Sequence, residues 1–197
     1  MGNARPLLVG PDSGPETPFP LQMEGKVIKG FGRGSKELGI PTANLPVDTT
    51  PWIKDAKSGV YFGWASLELP TDHPDHHKTT TTSASLPPTQ QQQQQQQEKK
   101  YAVFPMVMSI GYNPFYNNTV RSAEVHVLDN FGADFYGVEM RLLILGYIRD
   151  EQSYDGVEAL IEDIKTDCEV ARRSLDREGW RLQGTAGGKF DGSWLTR

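Results

Sequence analysis

Residues 106–128 read MVMSIGYNPFYNNTVRSAEVHVL. With Val103 and Phe104 just before it, the opening run is rich in β-formers and predicts a strand over residues 103–110. GYNPFYNN follows, and its Asn-Pro and Asn-Asn pairs are turn chemistry. A second strand is predicted over residues 120–128, where the side chains alternate. Ala123, Val125 and Val127 fall on one face, and Ser122, Glu124 and His126 on the other.

Working outward, similar patterns predict strands over residues 23–31, 59–67 and 138–147. Several strands joined by Gly- and Asn-rich connections suggest a small closed or nearly closed antiparallel barrel. One helix is clear. Val157, Leu160, Ile161, Ile164, Cys168, Ala171 and Leu175 recur at helical spacing. Asp155 with Glu158 resembles a capping box at its start, and Gly179 is a plausible stop. Cys168 lies on the apolar stripe and reads as a packing residue rather than a nucleophile.

Composition changes abruptly between residues 70 and 100, which hold PTDHPDHHKTTTTSASLPPT and a run of glutamines from Gln90 to Gln97. Such a segment cannot bury enough apolar surface to offset its chain entropy, so it reads as a disordered insertion between two strands. Its His73, His76 and His77 do not form a closed zinc set. The expected division is a loose Pro/Gly-rich tail over residues 1–18, one domain over 19–179 carrying the insertion, and a tail over 180–197. Trp180, Phe190 and Trp194 in that last tail could fold back onto the barrel.

The 197 residues are 37% hydrophobic and carry a formal charge of −5. That acidic balance opposes nucleic-acid binding through bulk charge but leaves room for one nucleotide at a local positive site. The single cysteine excludes an intrachain disulfide and suits a reducing compartment. No apolar run long enough for a signal peptide or a membrane span is present. The expectation is an intracellular, cytoplasmic protein that acts as a monomer.

The densest chemical signal is GKVIKGFGRGSKELGIPTANL, residues 25–45. Gly30, Gly32 and Gly34 would let backbone N–H groups approach an anion, and Arg33 and Lys36 add positive charge. The spacing is neither a Rossmann fingerprint nor a P-loop, and a plain flexible turn fits the glycines as well. In PTAN, Thr42 and Asn44 project from one side of an extended chain and offer neutral oxygens suited to a hard cation. A turn in which both bond their own backbone is the alternative. Glu124 and His126 could serve as an acid–base pair, although by themselves they read more readily as a solvated outer face.

Together these segments resemble the riboflavin kinase (flavokinase) family over roughly residues 20–178, apart from the insertion. GKVIKGFGRGSKELGIPTANL is similar to the family's nucleotide- and metal-binding stretch. SGVYFGWASL resembles its next strand, MVMSIGYNPFYNNTVRSAEVHVL its catalytic strand region and DFYGVEMRLLILGYIR its following hairpin. The resemblance implies a mainly β fold: a six-stranded antiparallel Greek-key barrel with a C-terminal helix. It implies an ATP:riboflavin 5′-phosphotransferase that makes FMN and ADP with Mg²⁺, or alternatively Zn²⁺. Thr42 and Asn44 would hold the metal, the glycine segment and Lys36 the nucleotide, and Glu124 would be catalytic. Arg149 would be a flavin-side arginine with Tyr154 as a ring partner. Asp150 departs from the family pattern, where many members have proline. A non-catalytic barrel that binds flavin or nucleotide is the competing reading. A bifunctional enzyme that also makes FAD is not, because the ~20 residues before the barrel cannot hold a second catalytic domain.

Overall fold

The computed structural model describes residues 5–29, 39–81, 100–112 and 120–197. In chain order these form β1 (Leu21–Lys26), β2 (Ala43–Asn44), β3 (Gly59–Leu67), β4 (Thr80–Thr81), β5 (Lys100–Tyr112), β6 (Arg121–Val127), β7 (Glu139–Arg149) and α1 (Val157–Leu175). The strands expected at 59–67, 103–110, 120–128 and 138–147 all form. The one expected over 23–31 ends as a strand at Lys26.

The sheet runs β1-β7-β3-β5-β6-β2, with β4 paired to the start of β5. Every pairing is antiparallel. β3, β5 and β6 are successive neighbours, and β7 returns beside β3, which is a Greek key. The two edges meet at a single bridge between Ile28 and Asn44, where the Ile28 N–H donates to the Asn44 carbonyl at 2.9 Å. That bridge closes the barrel.

Period-2 alternation decides which side chains fill it. Tyr61, Ala65, Met106, Met108, Ala123, Val125, Leu142 and Ile144 lie together in the interior. β7 breaks the alternation, with Met140 and the run Leu142–Leu143–Ile144–Leu145 all buried. The reason is a second cover on the outside, made by α1 over β5 and β3 and by the C-terminal segment around Leu195 over β7. There Phe62, Val107, Leu143 and Leu145 pack with Cys168, Ala171 and Leu175 of the helix. Burying one such large side chain contributes about 1.5–3 kcal/mol. Cys168 is buried in this cluster, and burial pushes its thiol pKa up to about 11.

The structure revises several expectations. α1 is capped by the extended Gly156 backbone with no side-chain cap bond, so Asp155 and Glu158 form no capping box, and the helix ends at Asp176 rather than Gly179. The segment expected to be loose is ordered at residues 5–11, which pack against α1 and the turn that follows it. Val9 N–H donates to Ser174 Oγ at 3.0 Å, and Arg177 Nη1 and Trp180 Nε1 donate to the Gly10 and Pro11 carbonyls, each at 2.8 Å. Such contacts use backbone carbonyls, so no hydrophobic period announces them. The C-terminal segment does fold back: Trp180 stacks on Phe62 at 5.6 Å, and Leu195 is fully buried.

The start of the expected insertion is also built. Asp75 accepts from the Gly132 N–H at 2.8 Å, and Lys78 bridges Asp75 and Asp129 at 3.2 Å each. Burial opposes the Asp75 charge, but the Gly132 bond and Lys78 outweigh it and hold its pKa below the usual value. His73, His76 and His77 each bond local backbone through Nδ1. They shape a turn. No cluster of His, Cys, Asp or Glu able to hold a metal occurs among the described residues. Residues 82–99 lie outside them.

Candidate active site

The strand registers align the separately predicted residues. Arg149 lies opposite Val60, Val60 opposite Ser109, Ser109 opposite Glu124, and Glu124 opposite Asn44. Directly opposed residues share a face of an antiparallel sheet. One transverse row on the outside of the barrel therefore reads Arg149, Val60, Ser109, Glu124, Asn44. Adjacent members of such a row stand ~4.5–5.5 Å apart, so Glu124 neighbours Asn44 directly, while Arg149 is three strands away, ~14 Å along the sheet.

Glu124 is half-buried, as β6 alternates between buried and partly exposed positions. Asn44 is 7% exposed. Its backbone carbonyl accepts the Ile28 N–H at the bridge between the two sheet edges, which holds the Asn44 backbone in place. Thr42, two residues earlier, is partly exposed. His126 ties this segment down: its Nδ1 meets the Pro41 carbonyl at 2.8 Å. A carbonyl only accepts, so Nδ1 carries the proton and Nε2 the lone pair. Burial holds the His126 pKa below the ordinary imidazole value, with Arg172 adding to the shift and the Pro41 bond opposing it. The neutral imidazole is thus a brace for residues 41–44, a role distinct from the acid–base partner that alternation suggested.

At the other end of the row, Arg149 is committed to α1. Its Nε lies 3.0 and 3.1 Å from the two Asp167 oxygens, and its Nη2 lies 2.7 Å from Asp167 and 3.3 Å from Asp163. The Tyr154 ring sits 6.0 Å from the guanidinium, and the Tyr154 hydroxyl donates to Asp163. Burial would raise the Asp163 pKa, but Tyr154, Arg149 and Arg5 outweigh it and hold it low. Burial, helped by the bond to Asp163, pushes Tyr154 up to about 12. Arg149 and Tyr154 thus stand together at one end of the row. Asp150 faces away from this cluster, pairing with Lys57 and the Tyr147 hydroxyl.

The loop between β7 and α1 crosses the same outer face. The Glu151 carboxylate occupies the space that a Cβ at Gly111 would enter, so a larger residue there would have to push this flexible side chain aside. Gly111 is paired with Ser122, two residues from Glu124. Gly30, Gly32, Arg33, Gly34 and Lys36, the expected phosphate cradle, lie outside the described residues.

Residues 17–175 match the family model described as Flavokinase, riboflavin kinase. The chain belongs to the riboflavin kinase family. Among curated relatives it is similar to the riboflavin kinase of Pyricularia oryzae, 61% identical over all of this chain and 96% of that protein. It is also similar to that of Neurospora crassa, at 56% identity over 98% and 97% of the two chains. The crystal structure of riboflavin kinase from Trypanosoma brucei superposes with a TM-score of 0.55 at 25% identity, covering 82% of this chain and 83% of that one. As a riboflavin kinase the chain is a phosphotransferase that uses ATP to convert riboflavin to FMN, and a non-catalytic binding barrel is not favoured. No helix among the described residues is long and apolar enough to cross a membrane.

Sequence reasoning missed Asp163 and Asp167 as partners of Arg149. A signal was present: Asp167 falls three residues after Ile164 and four before Ala171, inside the apolar stripe. A carboxylate there must find a cation.

Proposed function

We propose that the outer-face row is the catalytic surface of the kinase and that Glu124 is its general base. The alignment of Asn44, Glu124 and Arg149 carries this reading, because three segments predicted separately share one row. Phosphoryl transfer needs alignment and charge neutralisation more than covalent chemistry. Glu124 accepts the proton of the ribityl hydroxyl as that oxygen attacks the γ-phosphorus. The bond from phosphorus to the bridging oxygen breaks, and ADP leaves.

Thr42 and Asn44 fit a divalent metal through the chemistry of their donors. Both are neutral oxygen ligands beside a carboxylate, a set that suits Mg²⁺ and lacks the His and Cys nitrogen and sulfur that Zn²⁺ favours. A bound ion would neutralise phosphate charge there. The residues themselves present the oxygens, and the His126 bond to Pro41 holds them in place. Gly30, Gly32, Arg33, Gly34 and Lys36 are assigned to the ATP phosphates. Arg149 and Tyr154 are assigned to the flavin side. A monomeric, cytoplasmic enzyme is the assignment that goes with this reading, and the single cysteine, Cys168, needs no oxidising compartment.

Glu124→Gln tests the central assignment. It keeps the shape and removes the proton acceptor, so turnover falls about 10²–10⁴-fold while riboflavin still binds. Flavin fluorescence reports binding and chromatography of FMN reports turnover. Near-parental turnover with normal binding removes Glu124 from the mechanism.

A further inference from the structure

We infer that Arg5, delivered by the N-terminal segment, is a positioning residue for the flavin side of the active site, acting through the carboxylates it shares with Arg149. This rests on the assignment of Arg149 to the flavin side. Arg5 forms ion pairs with both Asp163 and Asp167. Asp167 has a side chain only 1% exposed, and a carboxylate so buried is tolerated only when its charge is matched. Arg5 and Arg149 together balance Asp163 and Asp167 charge for charge.

The geometry of delivery is consistent. Val9 is anchored on Ser174, and from there the segment runs toward the start of α1. Four extended residues from Val9 to Arg5 span ~13 Å. Nine helical residues from Ser174 back to position 165, between the two aspartates, also rise ~13 Å. Arg5 thus arrives at the pair that holds Arg149.

Without Arg5, two carboxylates face one guanidinium. Arg149 is then drawn toward both, and Asp163 is freed to take more of the Tyr154 hydroxyl. Both flavin-side groups shift, while Glu124 and Asn44, at the far end of the row, do not. The effect is therefore selective for one substrate.

Steady-state kinetics on the full chain test this with Arg5→Gln, Arg5→Lys and Arg149→Lys. Arg5→Gln raises the riboflavin KM about 3- to 10-fold, the range of one ordinary hydrogen bond, because Arg5 acts through the carboxylates and not on the flavin itself. The ATP KM stays parental, and Arg5→Lys, which keeps the charge but not the fork, restores part of the loss. Riboflavin Kd from fluorescence quenching, read well below each variant's Tm, separates altered binding from loss of folded enzyme. An unchanged riboflavin KM and Kd in Arg5→Gln, with Arg149→Lys impaired, overturns the role of Arg5 alone. Equal rises in both substrates' KM also overturn it, since they mark general loosening. If Arg149→Lys leaves riboflavin binding untouched, the flavin-side assignment fails and this inference falls with it.

Discussion

The inner and outer faces of the barrel come from the same strands and obey different demands. Inside, Tyr61, Met108, Val125 and Ile144 meet in a continuous apolar core. Outside, one residue along each strand, the surface is divided. α1 covers an apolar half around Phe62, Val107 and Leu143, while Ser109, Glu124 and Asn44 share a polar row with Arg149. The pleat that sends a valine inward must send its neighbour outward. The inner core and the proposed catalytic row thus lie on opposite sides of one sheet, and substitutions in the two should separate stability from turnover.

The largest separation is expected at Ile144→Ala. Ile144 is fully buried on the inner face. Removing its branch leaves a cavity and costs about 2–5 kcal/mol of stability, measured by chemical denaturation. The KM values of the enzyme that remains folded stay parental. Glu124→Gln on the outer face gives the reverse pattern, a loss of turnover with the unfolding midpoint in place. A Glu124→Gln protein as unstable as Ile144→Ala would erase the distinction between faces.

Thr42→Ala comes next. It removes one neutral oxygen and keeps the backbone, so the metal concentration for half-maximal activity rises about 10-fold or more. A metal titration that overlays the parent's would move the ion elsewhere.

A smaller effect follows from His126. Its pKa is lowered in the folded state, first by burial, from the ordinary 6.5. Below that pH the unfolded chain takes up a proton that the folded one resists, so stability declines as pH falls through ~6.5 toward 5. His126→Gln should flatten the decline in Tm between pH 7 and 5. Parallel profiles for parent and variant would show that His126 does not contribute.

The smallest effect is expected from replacing residues 82–99 with a short linker. The segment is polar and glutamine-rich, and loop closure depends only weakly on length, so stability and turnover change by little, about 0.5 kcal/mol or less. Extending the cut back to residue 71 removes the bond from Asp75 to Gly132 and the Lys78 bridge, and should lower the Tm measurably. Equal Tm values for the two deletions would make that docked turn dispensable.

Much of the fold was legible because its elements are long and periodic. Residues 59–67 and 139–149 carry enough β-formers, and 157–175 a clear enough apolar stripe, to declare themselves. The two-residue β2 was not, since its pairing with β6 depends on a partner eighty residues away. The order of the N-terminal segment is hidden from the sequence for a related reason. Its Pro- and Gly-rich composition has no period, and its order comes from Ser174 of α1 accepting the Val9 N–H and from Arg177 and Trp180, beyond the helix, donating to its carbonyls.

For the site, local sequence was sufficient to put Glu124 on the face opposite Ala123 and Val125, as β6 alternates. That is a consequence of the two-residue repeat of an extended chain, which needs no partner. The sequence could not determine that Arg149, Ser109, Glu124 and Asn44 stand in one row. Nor could it show that Asp163 and Asp167 hold Arg149, or that Arg5 shares them. Register and charge pairing are set between segments far apart in the chain. Only the closed sheet, with α1 laid against it, brings those segments within reach of one another.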